Sequence, residues 1–209
     1  IRNVLQTSQR LQSTRKIACI TYTNVGAETI LKRLGNSADR VEISTIHSFL
    51  YTHVVKPYVH LLAADYGLNA RKIDGHEDTI PSGFKFIDSW KKDSGQVYFS
   101  VDEHPKIVAA WKDLRWKFGS SGNLELETKY PVKIGRYYVK KDSYQLFKKM
   151  MWAEGWLHHD DVLFFSWQLL QLFPFLATVL RAKFPYYFVD EFQDTHPIQV
   201  KIIELLANK

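Results

Sequence analysis

The chain opens on apolar residues at helical spacing, Ile1, Val4, Leu5 and Leu11, and then the period changes. Ile17 to Thr21 is a short apolar run that predicts a buried strand. Ala27, Ile30, Leu31 and Leu34 return to helical spacing before Gly35-Asn36 stops the helix. Val41 to Ser44 predicts a second strand, and Thr45 opens another helical stretch that Pro57 is expected to bend. Toward the far end, Asp160 fits the N-cap of a helix over Val162 to Leu172, Pro174 starts a shorter helix, and Tyr186 to Val189 predicts a third strand. Strand and helix alternate at both ends, which predicts an α/β fold: a parallel, doubly wound sheet with helices on both faces.

The middle lacks that order. Between Val54 and Leu157 there are Gly and Ser clusters at Pro81-Ser-Gly83 and Gly119-Ser-Ser-Gly122, and five of the six Trp residues lie between Trp90 and Trp156. The pattern predicts a mostly helical inserted subdomain at 54–157 with a hairpin between Leu124 and Val139. It would interrupt a discontinuous α/β domain made of 1–53 and 158–209.

One stretch imitates a membrane span: Val162 to Leu180 holds 19 residues without a formal charge. It contains Ser166, Gln168, Gln171 and Pro174, and two buried helices meeting at Pro174 account for it without a membrane. Composition agrees with a globular chain, 45% hydrophobic, 24% charged and 14% aromatic over 209 residues. The one cysteine, Cys19, sits in the first strand and can form no internal disulfide, so a reducing, cytoplasmic setting is expected. The first residue is Ile1, already inside a helical pattern, so further chain is expected upstream.

The strongest chemical signal follows the third strand. Phe184-Pro-Tyr-Tyr-Phe-Val189 runs directly into Asp190-Glu191-Phe-Gln193-Asp194-Thr195, and a helical pattern begins at Pro197. A hydrophobic strand that delivers adjacent carboxylates at its C-terminal end can place one acid near Mg²⁺ and the next beside an attacking water. The alternative is an acid cluster that complements the dipole of the following helix.

Charge is concentrated in the middle, where Val54 to Leu157 carries net +4 of the total +6. From Lys129 to Lys149 there are Lys129, Lys133, Arg136, Lys140, Lys141, Lys148 and Lys149 against Asp142, interleaved with Tyr130, Tyr137, Tyr138 and Tyr144. Such a mixture suits a surface that tracks a phosphate backbone and stacks bases, and it equally suits a solubilising lysine face.

Four segments together resemble the first RecA-like ATPase domain of the UvrD/Rep-type superfamily 1 DNA helicases, and they occur in that family's order. Ile20-Thr-Tyr-Thr-Asn24 with Ala27 is similar to its T-F-T-N-x-x-A motif, and Ser44-Thr-Ile-His-Ser-Phe49 to its T-F-H-S motif. Asp160-Asp-Val-Leu163 is similar to its D-D-L-L segment, and Val189-Asp-Glu-Phe-Gln-Asp-Thr195 to its Walker B motif. The match covers about half the residues; the middle agrees in position and size rather than in sequence.

The resemblance implies a P-loop NTPase fold, ATP and Mg²⁺ as cofactors, and single-stranded and duplex DNA as partners. Asp190 would hold Mg²⁺ through water, and Glu191 would orient and deprotonate the water that attacks the γ-phosphate. Gln193 and Asp194 would couple ATP to the rest of the motor, while Thr195 fits an N-cap. Tyr22 would stack on a base, and Thr23, Asn24, Thr45, His47 and Ser48 would bond phosphates or sugars. Asp160 and Asp161 are expected to be structural capping acids.

Two positions depart from the family pattern. Val25 stands where the family often has lysine, and Ile46 where it has phenylalanine. The family's G-x-x-x-x-G-K-[ST] loop occurs nowhere in these residues and would precede Ile1; a second RecA-like domain of the same polypeptide would follow Lys209. The chain is therefore expected to be an inactive piece of an ATP-dependent helicase. Two other readings remain open: a metal-dependent nuclease using Asp190, Glu191 and Asp194 with Asp160 and His159, and a non-catalytic binding module on a degenerate motor fold.

Overall fold

In the computed structural model, which describes residues 1–207 except the side chain of Asp194, the chain divides into two compact units. One comprises Ile1–Tyr58 with Phe165–Lys209, the other Val59–Phe164. The boundaries expected from the hydrophobic pattern, at 53/54 and 157/158, fall a few residues before these.

In the first unit, helix α1 (Arg2–Thr7) is followed by strand β1 (Ile17–Thr21), helix α2 (Asn24–Leu34), strand β2 (Val41–Thr45) and helix α3 (Ile46–Leu50). Gly35, at φ 55°, ends α2 where the sequence placed the stop. Ahead of Pro57 the helix after α3 widens into a π turn, Tyr51–Val55, in which Lys56 N–H donates to the Tyr51 carbonyl, and then narrows to α4 (Lys56–Tyr58).

The second unit holds α5 (Ala63–Tyr66), α6 (Phe84–Asp93), α7 (His104–Lys112), strands β3 (Arg115–Phe118), β4 (Leu124–Glu127), β5 (Lys133–Ile134) and β6 (Tyr137–Tyr138), and α8 (Asp142–Ala153). Here the single expected hairpin becomes two. β3 pairs with β4 around Gly119–Gly122, and β5 with β6, both antiparallel. Five-residue β3–β4 turn chemistry explains the first: Gly122 sits at φ 79° and its N–H donates to the Gly119 carbonyl at 3.0 Å. Trp90, Trp111, Trp116 and Trp152 lie in this unit's core, with Trp111 stacked on Phe147 at 4.2 Å and Trp116 on Phe164 at 3.9 Å between centroids, while Trp156 is exposed.

Helix α9 (His159–Leu172) carries the chain back into the first unit, and α10 (Phe175–Lys183) follows after a 108° change of direction at Pro174. Among the described residues no single helix is long and apolar enough to cross a membrane. Strand β7 (Tyr186–Val189) and helix α11 (Pro197–Ala207) complete the chain.

The sheet is parallel throughout, in the order β2-β1-β7. β1 is buried at every position because it has a strand on each side and helices on both faces. On one face Ile17, Cys19 and Val41 pack with Leu11 and Leu34, joined by Ile30, Ile43 and Phe188. The other face carries Tyr187, against which Phe49 packs edge-on at 6.1 Å, with Phe184 5.2 Å from Phe49. The chain leaves β1 toward β2 on one side and returns through β7 on the other, so β1 and β7 flank the point where the winding reverses.

Candidate functional site

Register determines which residues meet. Thr21 pairs with Thr45 and Ile20 with Val189, and the Asp190 N–H continues the ladder by donating to the Ile20 carbonyl at 2.9 Å. All three strands therefore end at one edge of the sheet. Tyr22-Thr-Asn24, Ile46-His-Ser48 and Asp190-Glu191 emerge there side by side, with neighbouring strands about 4.8 Å apart. The structure thus brings Tyr22, Thr23, Asn24, Thr45, His47, Ser48, Asp190, Glu191 and Gln193 to the C-terminal ends of the strands.

The first turn is held by threonines. Thr21, 2% exposed, donates its hydroxyl to the Thr23 carbonyl at 2.8 Å, and the Thr23 hydroxyl oxygen accepts from the Gly26 N–H at 3.1 Å as the cap of α2. A Cβ on Gly26 would lie 3.3 Å from the Thr23 hydroxyl and 3.4 Å from the Thr21 Cβ, so this position favours a residue without a side chain. The turn leaves the Tyr22 ring about half exposed. At the second turn, Thr45 accepts from the Ser48 N–H at 3.3 Å and donates to the Ser48 hydroxyl at 3.0 Å, capping α3. Thr23 and Thr45 thus act first as caps. Ile46 is buried, filling the place where the resemblance expects a ring, His47 is half-buried, and Asn24, Val25 and Ser48 face solvent.

The third turn carries the acids. Asp190 and Glu191 are exposed, and among the described residues the Asp190 carboxylate makes no hydrogen bond or ion pair. Glu191 sits at φ 52°, ψ 41°, in the left-handed region that non-glycine residues seldom occupy, and its carboxylate accepts a hydrogen bond from the Gln193 amide. Burial pushes the Cys19 thiol up, and the negative charge of Asp190 adds to the effect, so this thiol is a core group. The backbone of Asp194 closes a single 3₁₀ turn; its side chain, expected to pair in function with Gln193, lies outside the described residues. A hard, exposed carboxylate without a protein partner at a strand end fits Mg²⁺, which takes one or two carboxylates and keeps much of its water.

Several expected roles change. Thr195 does not cap α11: His196 does, its Nδ1 accepting from the Ile198 N–H at 3.3 Å while Gln199 Oε1 accepts from the His196 N–H at 3.0 Å. The signal was present as Pro197 and Gln199 at the first and third helical positions. Asp160 is not the N-cap of α9, because the helix already begins at His159; its carboxylate accepts from the Trp116 N–H at 2.7 Å. Asp161 bonds the His158 N–H at 3.1 Å, the indole N–H groups of Trp116 and Trp152 at 3.0 and 3.1 Å, and Lys148 at 2.8 Å.

That last pair corrects the basic stripe. Lys148 is 1% exposed and Tyr144 3%, so neither belongs to a surface. Lys141 is paired with Glu127 at 2.6 Å, and Lys140 lies 3.5 Å from the carbonyls of Ser94 and Gly95. Among the described residues no group of three or more His, Cys, Asp or Glu is placed to hold a metal. His159, a ligand on the nuclease reading, instead has its Nδ1 2.8 Å from that of His76.

A family model described as the UvrD/REP helicase N-terminal domain matches residues 3–209. Similar proteins include ATP-dependent DNA helicase PcrA of Staphylococcus aureus strain Mu50, 27% identical over 92% of this chain and 25% of that protein. DNA helicase II of Rickettsia typhi is 27% identical over all of this chain and 30% of its own length. Gabija protein GajB of Bacillus cereus is 24% identical over 93% of this chain and 33% of its own. The chain spans about a quarter to a third of the length of these relatives.

Proposed function

Because the chain belongs to the UvrD/REP helicase N-terminal domain family, we propose that it forms part of a cytoplasmic, ATP-dependent DNA helicase or translocase. The observation that carries this reading is the register that ends β1, β2 and β7 together and sets Asp190-Glu191 beside Tyr22-Thr-Asn24 and Thr45-Ile-His-Ser48. Acids suited to phosphoryl transfer and groups suited to a nucleic-acid strand then share one edge of a doubly wound sheet, where such sheets bind ligands.

In this reading Asp190 would hold Mg²⁺, which would supply positive charge against that developing on the transferring phosphoryl oxygens. Glu191 orients the attacking water and takes its proton, while Gln193, bonded to the Glu191 carboxylate, fixes the direction of that carboxylate. Tyr22 offers a half-exposed ring to a base, and the Thr23, Asn24, Thr45, His47 and Ser48 side chains offer polar contacts to sugar and phosphate. The relatives named as helicases support ATP and DNA as the ligands. A discontinuous RecA-like domain, residues 1–53 and 158–209, with an inserted subdomain at 54–157, belongs to the same reading, as does a second RecA-like domain in the whole polypeptide.

The test is single-strand-stimulated ATP hydrolysis by the whole polypeptide that contains this chain. Glu191→Gln is expected to lower turnover by about 10²- to 10⁴-fold, the range for a lost general base. ATP hydrolysis that persists in that variant would overturn the role of Glu191.

A further inference from the structure

Outside the sheet edge, the β5–β6 hairpin and the segment that leads into it carry rings that a folded chain ordinarily hides. Tyr130 is 69% exposed, Tyr138 59% and Tyr137 49%, whereas Trp90, Trp111 and Phe147 in the same unit are at most 1% exposed. Lys133 is the cross-strand partner of Tyr138, so the two share a face, and Lys133 Nζ lies 5.7 Å from the Tyr138 ring centroid. Lys129 Nζ lies 5.5 Å from that of Tyr130. The opposite face of the hairpin is anchored: Ile134 is buried, and its partner Tyr137 packs on Tyr98 with centroids 4.2 Å apart.

Nearby acids are already engaged. Glu127 is paired with Lys141, and one oxygen of Glu103, beside the hairpin turn at Gly135, accepts from the N–H and hydroxyl of Ser100. Among the described residues neither Lys133 nor Arg136 makes an ion pair. Exposed ring faces next to uncompensated cations match a chain that carries flat apolar groups and regularly spaced anions. A duplex supplies the anions but keeps its bases stacked inside, while a single strand presents both.

We propose that the β5–β6 hairpin and the segment leading into it form a single-stranded DNA contact, in which Tyr138 of the hairpin and Tyr130 before it stack on bases while Lys129, Lys133 and Arg136 pair with phosphates. It uses none of the sheet-edge residues; the choice of DNA as the strand rests on the proposed function. Lys148, part of the same basic run in the sequence, is excluded from it by burial; Lys141, exposed, is engaged with Glu127, and Lys140 Nζ lies 3.5 Å from the Ser94 carbonyl.

The experiment is an anisotropy titration of fluorescein-labelled oligo-dT with the 209-residue chain, carrying Tyr22→Ala and His47→Ala to silence the sheet edge. Adding Tyr130→Ala and Tyr138→Ala is expected to weaken binding about tenfold per ring, and Tyr130→Phe with Tyr138→Phe to restore it. Lys129→Gln and Lys133→Gln are each expected to flatten the slope of log affinity against log salt by about 0.7. Unchanged affinity in the folded alanine variant, no oligo-dT binding at low salt, or equal binding of a blunt duplex or of polyglutamate would each overturn the proposal. Failure of the sheet-edge reading shows separately, as Tyr22→Ala and His47→Ala having no effect in the otherwise unaltered chain.

Discussion

Lys148 and Asp161 form an ion pair of 2.8 Å with both side chains sealed from solvent, 1% and 0% exposed. Burial alone would push the Asp161 carboxyl up; the Lys148 ammonium and the indole N–H groups of Trp116 and Trp152 outweigh it and hold the group below the ordinary carboxylate range. Removing one partner strands the other charge in the core. Lys148→Met or Asp161→Asn alone is expected to cost about 3–5 kcal/mol in denaturant unfolding. The double variant, which leaves no uncompensated charge and keeps an acceptor for the indoles, should cost clearly less than the sum of the two. Additive losses would show that the pair is not coupled.

A second consequence concerns acid. Burial first, and then the Lys148 charge, push His158 down to about 4. Its Nδ1 accepts from the Asp160 N–H at 3.3 Å, so the neutral ring donates from Nε2 to Asp78 at 3.2 Å. The unfolded imidazole titrates near 6.5, so between 6.5 and 4 the unfolded chain binds the proton and the folded one does not. Stability is full above that window and falls as pH drops through it. His76, lowered by burial and by His159, acts in the same direction. Unfolding free energy is expected to drop by about 2 kcal/mol from pH 7 to pH 5, and His158→Gln to flatten that drop. A pH profile unchanged by the substitution would exclude His158 as its source.

β1 and β7 were legible as short apolar runs, as a strand inside a parallel sheet is written, while β2, Val41-Glu-Ile-Ser-Thr45, showed as a β-branched segment with apolar residues at alternate positions, as suits an edge strand. The strand ends were legible for the same reason, since polar residues follow directly on buried ones. Lys148 was not. On α8 it lies one position from Phe147 and four from Tyr144, on the buried face, and nothing local marks a lysine whose carboxylate partner is on another helix. Asp160 and Asp161 were legible only in part: both are structural, and Asp161 caps α9 by accepting from the His158 N–H, but nothing local marked Trp116 and Lys148, their partners from elsewhere in the chain. Thr195 lost its cap role by one residue because the His196 ring nitrogen can accept the same kind of bond.

Gly155 tests how closely two segments of the second unit approach. At φ 80° it is already in the region that favours glycine, and an added Cβ would lie 2.5 Å from the Lys72 Cβ and 2.7 Å from its backbone carbon. Gly155→Ala therefore meets backbone that cannot swing away. A loss of about 1–3 kcal/mol is expected from the strained conformation alone, with the steric contact adding to it. Thermal melting of the variant reads the loss directly, and an unchanged midpoint would mean that the segments sit farther apart.

Glu191 occupies a comparable conformation without being glycine, at φ 52°, ψ 41°. A β-carbon there costs free energy that glycine avoids, and the exposed side chain makes no buried contact that offsets it; its bond to Gln193 is at the surface. Glu191→Gly is accordingly expected to be about 1 kcal/mol more stable than Glu191→Ala, measured by denaturant titration of the 209-residue chain. Both variants should be equally deficient in ATP turnover in the whole polypeptide, because both lack the carboxylate. That combination, glycine favoured over alanine in stability while both variants lose turnover, separates a strained catalytic position from an ordinary turn acid. If glycine gave no advantage over alanine, the left-handed backbone at Glu191 would be disproved. If glycine were stabilising but turnover survived, the strain would belong to the turn and not to catalysis.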